Sequence, residues 1–278
     1  ISYKVMDFPD LSVDGTFPLG MCITASMITA GADPLLACIV AFIAGSLAGC
    51  ITGILNVKLK ITDLLSGILV MTAMWSVNLA ITKGSAVLPF YNKSTIFNTG
   101  LVQILPESIY KYRILIVAGL MMLIVKILMD LYLKTKSGLL LRAAGDNPQF
   151  VTSMSRNPGA MKIIGLAIGN GCTALAGSIL SQQNESANIT SGTGMVVMSL
   201  ASVIIGTSIF SKVKFMKATT MAVIGAIIYK MCLVAAMQLG LPTNYLKLLM
   251  AVIFTVALVS NNFFSKGRRK QNVQPNKL

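Results

Sequence analysis

Histidine is absent from this 278-residue chain. With it go His-based zinc centres and the Ser-His or Cys-His pairs that generate a nucleophile. Acidic residues are also scarce, nine Asp and Glu against 23 Lys and Arg. No two apolar stretches each hold a central Asp, so a two-carboxylate intramembrane protease is unsupported. The phosphate-cradling pattern GxxxxGK[ST] is missing, and the chain is not expected to hydrolyse ATP by itself. No enzymatic role and no cofactor are expected. An ion-coupled carrier would usually place carboxylates within its spans. Here Asp63 and Asp130 fall near span ends, while Asp14 and Glu185 read as loop residues. The five cysteines, Cys22, Cys38, Cys50, Cys172 and Cys232, lie in apolar runs without metal or redox spacing and read as small packing residues.

What remains is apolar: 55% hydrophobic and 12% charged residues, with a mean hydropathy of +0.76. Successive runs of about 20 residues can each cross a hydrocarbon core of roughly 30 Å as helix. They lack the strict alternation of a barrel strand, and backbone groups in lipid must be satisfied within the segment. The expected fold is therefore an all-α polytopic membrane protein. About eight spans or re-entrant segments are expected, at 17–30, 34–56, 62–81, 113–131, 163–182, 194–210, 218–239 and 245–260. Residues 1–8 read like the end of an apolar segment, so one further leading span is expected. Residues 1–261 would form one transmembrane domain, followed by a basic tail at 262–278.

The cations cluster at Lys58/Lys60, along 134–162, at Lys212/Lys214/Lys217 and in the tail. Placing all four clusters in the cytoplasm is self-consistent and follows the positive-inside rule. The C-terminus is then cytoplasmic, whereas the 83–112 and 183–194 connections lie outside. A short surface helix is expected within 83–112. Stretch 17–30 makes only about 21 Å of helix and reads as broken or re-entrant, facing protein or a hydrated cavity. Its polar positions Thr16, Thr24 and Ser26 would face that cavity, or the helix simply packs against its neighbours. Gly45, Gly49 and Gly53 form a small-residue ridge suited to close helix packing within the chain, or else to a subunit contact. Lys230 lies deep in a span, where a charge costs about 2.5–3.5 kcal/mol on insertion scales. It either snorkels outward or faces water.

The basic stretch KTKSGLLLRAAGDNPQFVTSMSRNPGAMK, rich in Gly and Pro, separates two long apolar runs. Asp146 or Asn147 can cap a helix opening at Pro148, and Gly145 would permit a sharp bend before it. Arg142 offers a planar donor fork to a partner. Gly138, Arg142, Ala143, Gly145, Asp146, Asn147 and Pro148 form a G-x-x-x-R-A-x-G-[ED]-N-P pattern. Leu175-Ala176-Gly177 follows, and then Gly194, Leu200, Ala201, Ile204, Ile205 and Gly206. Three such motifs in order, together with GILNVKLKITDLLSGILVMTAMW, cover most of the chain. They resemble the permease subunits of ATP-binding-cassette importers for branched-chain amino acids and simple sugars. Ser155-Arg156-Asn157 departs from that pattern, since many members carry a Gly-Ile pair there.

The resemblance implies a multi-pass bacterial plasma-membrane protein that partners a cytoplasmic ATPase, an extracytoplasmic solute-binding lipoprotein and a second permease copy. It assigns Arg142, Gly145, Asp146, Asn147 and Pro148 to contact with the ATPase. The N-terminal DFPDLSVDGTFPLG is similar to a narrower group of amino-acid permeases, with tryptophan or tyrosine suggested for some. Candidate pathway residues are the polar groups in or beside spans, Asp14, Thr16, Asn78, Asn170, Gln182 and Asn184, each of which could equally serve an interhelical hydrogen bond. The alternatives are an ion-gradient-driven secondary transporter, a permease of the same family for a sugar, nucleoside or vitamin, and a non-transporting membrane scaffold.

Overall fold

The computed structural model describes residues 2–6, 8–99, 110–210 and 216–240, with 242, 245, 248, 249, 251–253, 255 and 256 beyond them. The expected span at 245–260 lies largely outside the described residues, and the basic tail wholly so. The chain divides into two compact units, Ile1–Met195 and Val196–Leu278.

In the first unit, α1 (Ser2–Met6) leads into α2 (Val13–Thr29), α3 (Pro34–Val57) and α4 (Asp63–Ile81). After strand β1 (Val87–Pro89) come α5 (Arg113–Tyr132), α6 (Lys136–Asp146), α7 (Pro148–Ser153) and α8 (Pro158–Asn184). Strand β2 (Ser186–Asn188) and a 3-10 turn at Ile189–Gly192 close the unit. The second unit holds α9 (Met195–Ile209, its first residue shared with the boundary) and α10 (Ala218–Gln238). Among the described residues six helical stretches are long and apolar enough to cross a membrane: α3, α4, α5, α8, α10 and Ile189–Ile209. This is an all-α polytopic membrane protein, as the composition predicts.

Stretch 17–30 belongs to a longer helix than the sequence suggests. It begins at Val13, so Asp14 lies in its first turn and not in a loop, and Pro18 sits inside it. Pro18 falls in the second turn, where it removes one i→i−4 hydrogen bond. This helix packs against α3, α4 and α8 and carries most of its residues buried. Thr16 and Thr24 are fully buried. Protein surrounds it.

The ridge on α3 has an internal purpose. Gly45, Gly49 and Gly53 lie against Asn170, Leu166 and Ile163 of α8, and a Cβ at Gly45 or Gly49 would collide with the carbonyl oxygens of Asn170 and Leu166. Absence of side chains there lets two backbones approach closely, which is how helices gain dispersion contact in lipid. The ridge is an intramolecular seam.

Three helices open with the same device. Asp33-Pro34, Asn147-Pro148 and Asn157-Pro158 each put an Asx side chain at the N-cap and proline at the first helical position. The cap satisfies orphan N–H groups, while proline has no N–H to leave unpaired.

The two ends of the first unit are tied differently. At one end Lys162 of α8 bonds Asp63 at 3.1 Å, and Asn56 donates to the same carboxylate at 2.6 Å. At the other, β1 pairs antiparallel with β2, Leu88 opposite Ala187, and the Phe90 N–H donates to Glu185 O at 2.9 Å. The 58–63 turn and the start of α8 thus share one end, and the 86–90 and 185–189 segments share the other. Residues 83–99 form turns and a strand, with 86–90 paired to 185–189. The remainder of the stretch in which a surface helix is expected falls largely on residues 100–109, which lie outside the described ones.

In the second unit α9 and α10 pack closely, Gly206 against Met221 and Gly225 against Ser202. Ala201, Tyr229 and Leu233 form its core, with Leu249 and Ile253 packed on it.

Candidate functional site

Two arrangements carry chemistry, a short-helix corner and a buried polar seam.

The corner is built from α6, α7 and the start of α8. Thr135 caps α6, accepting from Gly138 N–H at 3.2 Å. At Asn147 the backbone turns extended, φ −152° and ψ 95°, and its side chain accepts from the N–H groups of Gln149 and Phe150 at 3.1 and 3.2 Å. Asn147, not Asp146, is the cap. Ser155 then adopts a left-handed conformation, φ 57°, before Asn157 caps α8 through Gly159 N–H at 2.8 Å. The departure at Ser155-Arg156 therefore falls where glycine would be least strained.

Gly145 makes no bend. It sits inside α6, where a Cβ would collide with the Val5 carbonyl oxygen and come within 3.0 Å of Met6 Cα. Its role is the close crossing of α6 and α1. Met6 in turn fills the space over Gly165 of α8, beside Leu141 and Leu166. This anchors the corner to the body of the unit through α1. Its outer surface is open: Arg142, Asp146, Asn147, Pro148 and Gln149 are exposed, and so are three large apolar side chains, Leu139, Phe150 and Met154. Arg142 and Asp146 lie one turn apart on α6.

The seam runs between α2 and α8. Asn170 is fully buried. Its Oδ1 accepts from Thr16 Oγ1 at 2.7 Å, with Ser12 Oγ 3.1 Å away, and its Nδ2 donates to Asp10 Oδ2 at 2.8 Å. Ser12 N–H and Oγ–H both donate to Asp10 Oδ1. Each polar atom that burial strips of water has found a partner here, as low-dielectric surroundings demand. Two turns further along α8, Thr24 donates to Ser178 at 2.7 Å, and Ser178 donates to Cys38 Sγ at 3.3 Å. Gln182 donates to the Pro34 carbonyl and to Cys38 Sγ, and accepts from Ile96 N–H at 2.9 Å. Asn78 donates to the Gly15 carbonyl at 3.2 Å, with its own Oδ1 unpartnered. Asp14 accepts from Gly194 N–H at 3.0 Å.

The sequence-predicted pathway residues thus divide. Thr16, Asn78, Asn170 and Gln182 are buried and engaged between elements; Asp14 is half-buried, and Asn184 is exposed as the last residue of α8. Asp10, Ser12, Ser178 and Asn157 were missed, whereas Thr24, singled out in the sequence, is buried against Ser178. Asp10-x-Ser12 is a legible Asx turn, and Asn157-Pro158 repeats the 147–148 signal. The Thr24–Ser178 meeting spans 154 positions and leaves no local trace.

Comparison with known proteins gives this architecture its relatives. Over 262 residues the chain is 40% identical to the tyrosine transport system permease protein of Clostridioides difficile (94% of this chain, 85% of that one). It is 30% identical over 264 residues to an uncharacterised protein of Rickettsia prowazekii (94% and 90%). Against the ribose import permease protein of Haemophilus influenzae it is 25% identical over 259 residues (91% and 76%). No solved structure matches at comparable significance. The family model described as branched-chain amino acid transport system / permease component matches residues 1–258. The chain belongs to that family, a multi-pass plasma-membrane permease component of ATP-binding-cassette transport systems.

Proposed function

We propose that this chain is the translocating subunit of an importer. A cytoplasmic ATPase engages the α6–α7 corner, an extracytoplasmic receptor delivers the solute at the β1–β2 end, and two permease copies alternate access between them. The C-terminus is cytoplasmic in this reading. The observation that carries it is the corner itself. A chain that lacks a nucleotide-binding pattern spends an Asn cap, a helix-start proline and a glycine crossing on short helices whose outer face is exposed and partly apolar. Arg142, Asp146, Asn147 and Pro148 would meet the ATPase directly, with Gly145 holding α6 against α1.

The solute is an amino acid, and an aromatic one is the best candidate. The 40% identity to a tyrosine transport permease, against 25% to a ribose permease, supports this over a sugar. The solute would pass Asp14 and Asn184. Thr16, Asn78, Asn170 and Gln182, engaged between helices in this conformation, would meet it only if the α2–α8 seam opens. The test is uptake of labelled tyrosine by proteoliposomes holding the permease, the ATPase that co-purifies with it and its receptor. ATP-dependent uptake that excess ribose leaves intact is expected. Uptake without an ATPase, driven by an ion gradient, would overturn the reading.

A further inference from the structure

Two lysines in the helices of the first unit have carboxylate partners. Lys126 of α5 pairs with Asp130 one turn on, at 3.5 Å, and Lys162 of α8 pairs with Asp63 at 3.1 Å. Lys230 of α10 differs from both. It is exposed, and among the described residues it forms no ion pair. Nor can its own unit supply one, because residues 186–278 contain no Asp or Glu at all.

The described carboxylates of the first unit are largely committed. Asp10 is held by Ser12 and Asn170, Asp14 takes the Gly194 N–H, and Asp33 caps α3. Asp63 and Asp130 hold their lysines.

Depth makes this matter. The 21 residues of α10 span about 31 Å, and Lys230 lies within a turn of the midpoint. Ile227, Met231 and Val234 around it are exposed and apolar. The nearer helix end is the C-terminal one, about 12 Å away along the axis. A helical side chain leans toward the N-terminus, so a lysine here leans away from that end, and its stem must work against the tilt to snorkel. At the same depth the Tyr229 hydroxyl is buried with no hydrogen-bond partner among the described residues. Ionisable residues at this depth commonly mark a substrate or ion pathway.

We propose that Lys230 is a transit site for the carboxylate of the solute. Its ammonium pairs with the carboxylate as the solute crosses the middle of the membrane, and this supplies the counter-charge that the unit does not encode. The inference rests on the amino-acid reading above, and it makes Lys230 a specificity-determining residue for acids over neutral solutes of similar shape.

The experiment uses the same proteoliposomes with tyrosine as probe. Lys230→Met should lower tyrosine uptake at least about tenfold, the loss of one charge-assisted contact, while receptor-stimulated ATP hydrolysis stays near wild type. Lys230→Arg should retain most uptake. In a background without native cysteines, Lys230→Cys should react with an anionic methanethiosulfonate from water, tyrosine should slow that reaction, and 2-aminoethyl methanethiosulfonate should restore uptake by rebuilding a cation. Normal uptake in Lys230→Met overturns the proposal and leaves the amino-acid reading standing. A thiol inert to the aqueous reagent, with uptake that tracks anionic lipid content, assigns Lys230 to a lipid phosphate and also overturns it. Wild-type vesicles that never accumulate tyrosine would sink the amino-acid reading, and this inference with it.

Discussion

Asn170 is the hub of the buried polar cluster formed with Asp10, Ser12 and Thr16. Its amide accepts from Thr16 and donates to Asp10. An Asn→Leu change there keeps approximate volume and removes both roles, leaving a buried carboxylate one donor short. Each unsatisfied buried group costs roughly 1–3 kcal/mol, and a charged one more. Asn170→Leu should therefore insert normally yet lower the midpoint of thermal unfolding in detergent by several degrees; an unchanged midpoint would show that the seam is not structural. Ser155 invites the opposite experiment. It holds a left-handed φ of 57°, a conformation that costs a non-glycine residue roughly 1–2 kcal/mol. Ser155→Gly should raise that midpoint or leave it unchanged, while uptake is preserved. A clear fall would mean that the serine side chain contributes something the backbone geometry does not reveal.

At the scale of elements, what the sequence disclosed depended on how local the cause was. The cap at Asn147 and the start at Pro148 were readable because cap, proline and helix are adjacent in the chain. Gly145 was misread for the converse reason: its constraint is the Val5 carbonyl, far away in sequence. The extent of α2 was underestimated because Asp14, Gly15 and Pro18 look like loop residues, whereas burial against α3, α4 and α8 outweighs their weak helix propensity. Likewise the β1–β2 pairing joins residues about a hundred positions apart, with no alternation long enough to announce it. Its register is open to test. In a background lacking native cysteines, Leu88→Cys with Ala187→Cys should cross-link on mild oxidation, since these residues face each other across the ladder. Leu88→Cys with Ser186→Cys should do so much less. Equal cross-linking of both pairs would show that the strand pairing slips.

At the scale of the whole molecule, α8 sets the argument. Its 27 residues make a rod of about 40 Å, with the α6–α7 corner joined to one end and β2 to the other. Gln149 and Glu185 should therefore be labelled from opposite faces of the membrane when each is replaced by cysteine, and labelling from one face would refute the arrangement. In the proposed topology, which follows the positive-inside rule, the Gln149 side is the cytoplasmic one. The corner's exposed face combines a guanidinium with apolar bulk, Arg142 with Phe150 at 55% and Met154 at 54% exposure. That composition suits a docking contact better than a solvated loop. Arg142→Ala and Phe150→Ala remove charge and bulk without touching a buried group, so folding and membrane insertion should be retained. Each should cut uptake roughly tenfold or more, the scale of a contact hot spot, and abolish receptor stimulation of ATP hydrolysis while basal hydrolysis persists. The double change should cost little beyond the worse single one, because either loss already frees the corner from its partner. If both single variants transport normally with normal stimulation, force must enter this permease elsewhere, and the 58–62 turn at the same end, held to α8 by Lys162 and Asp63, becomes the place to look.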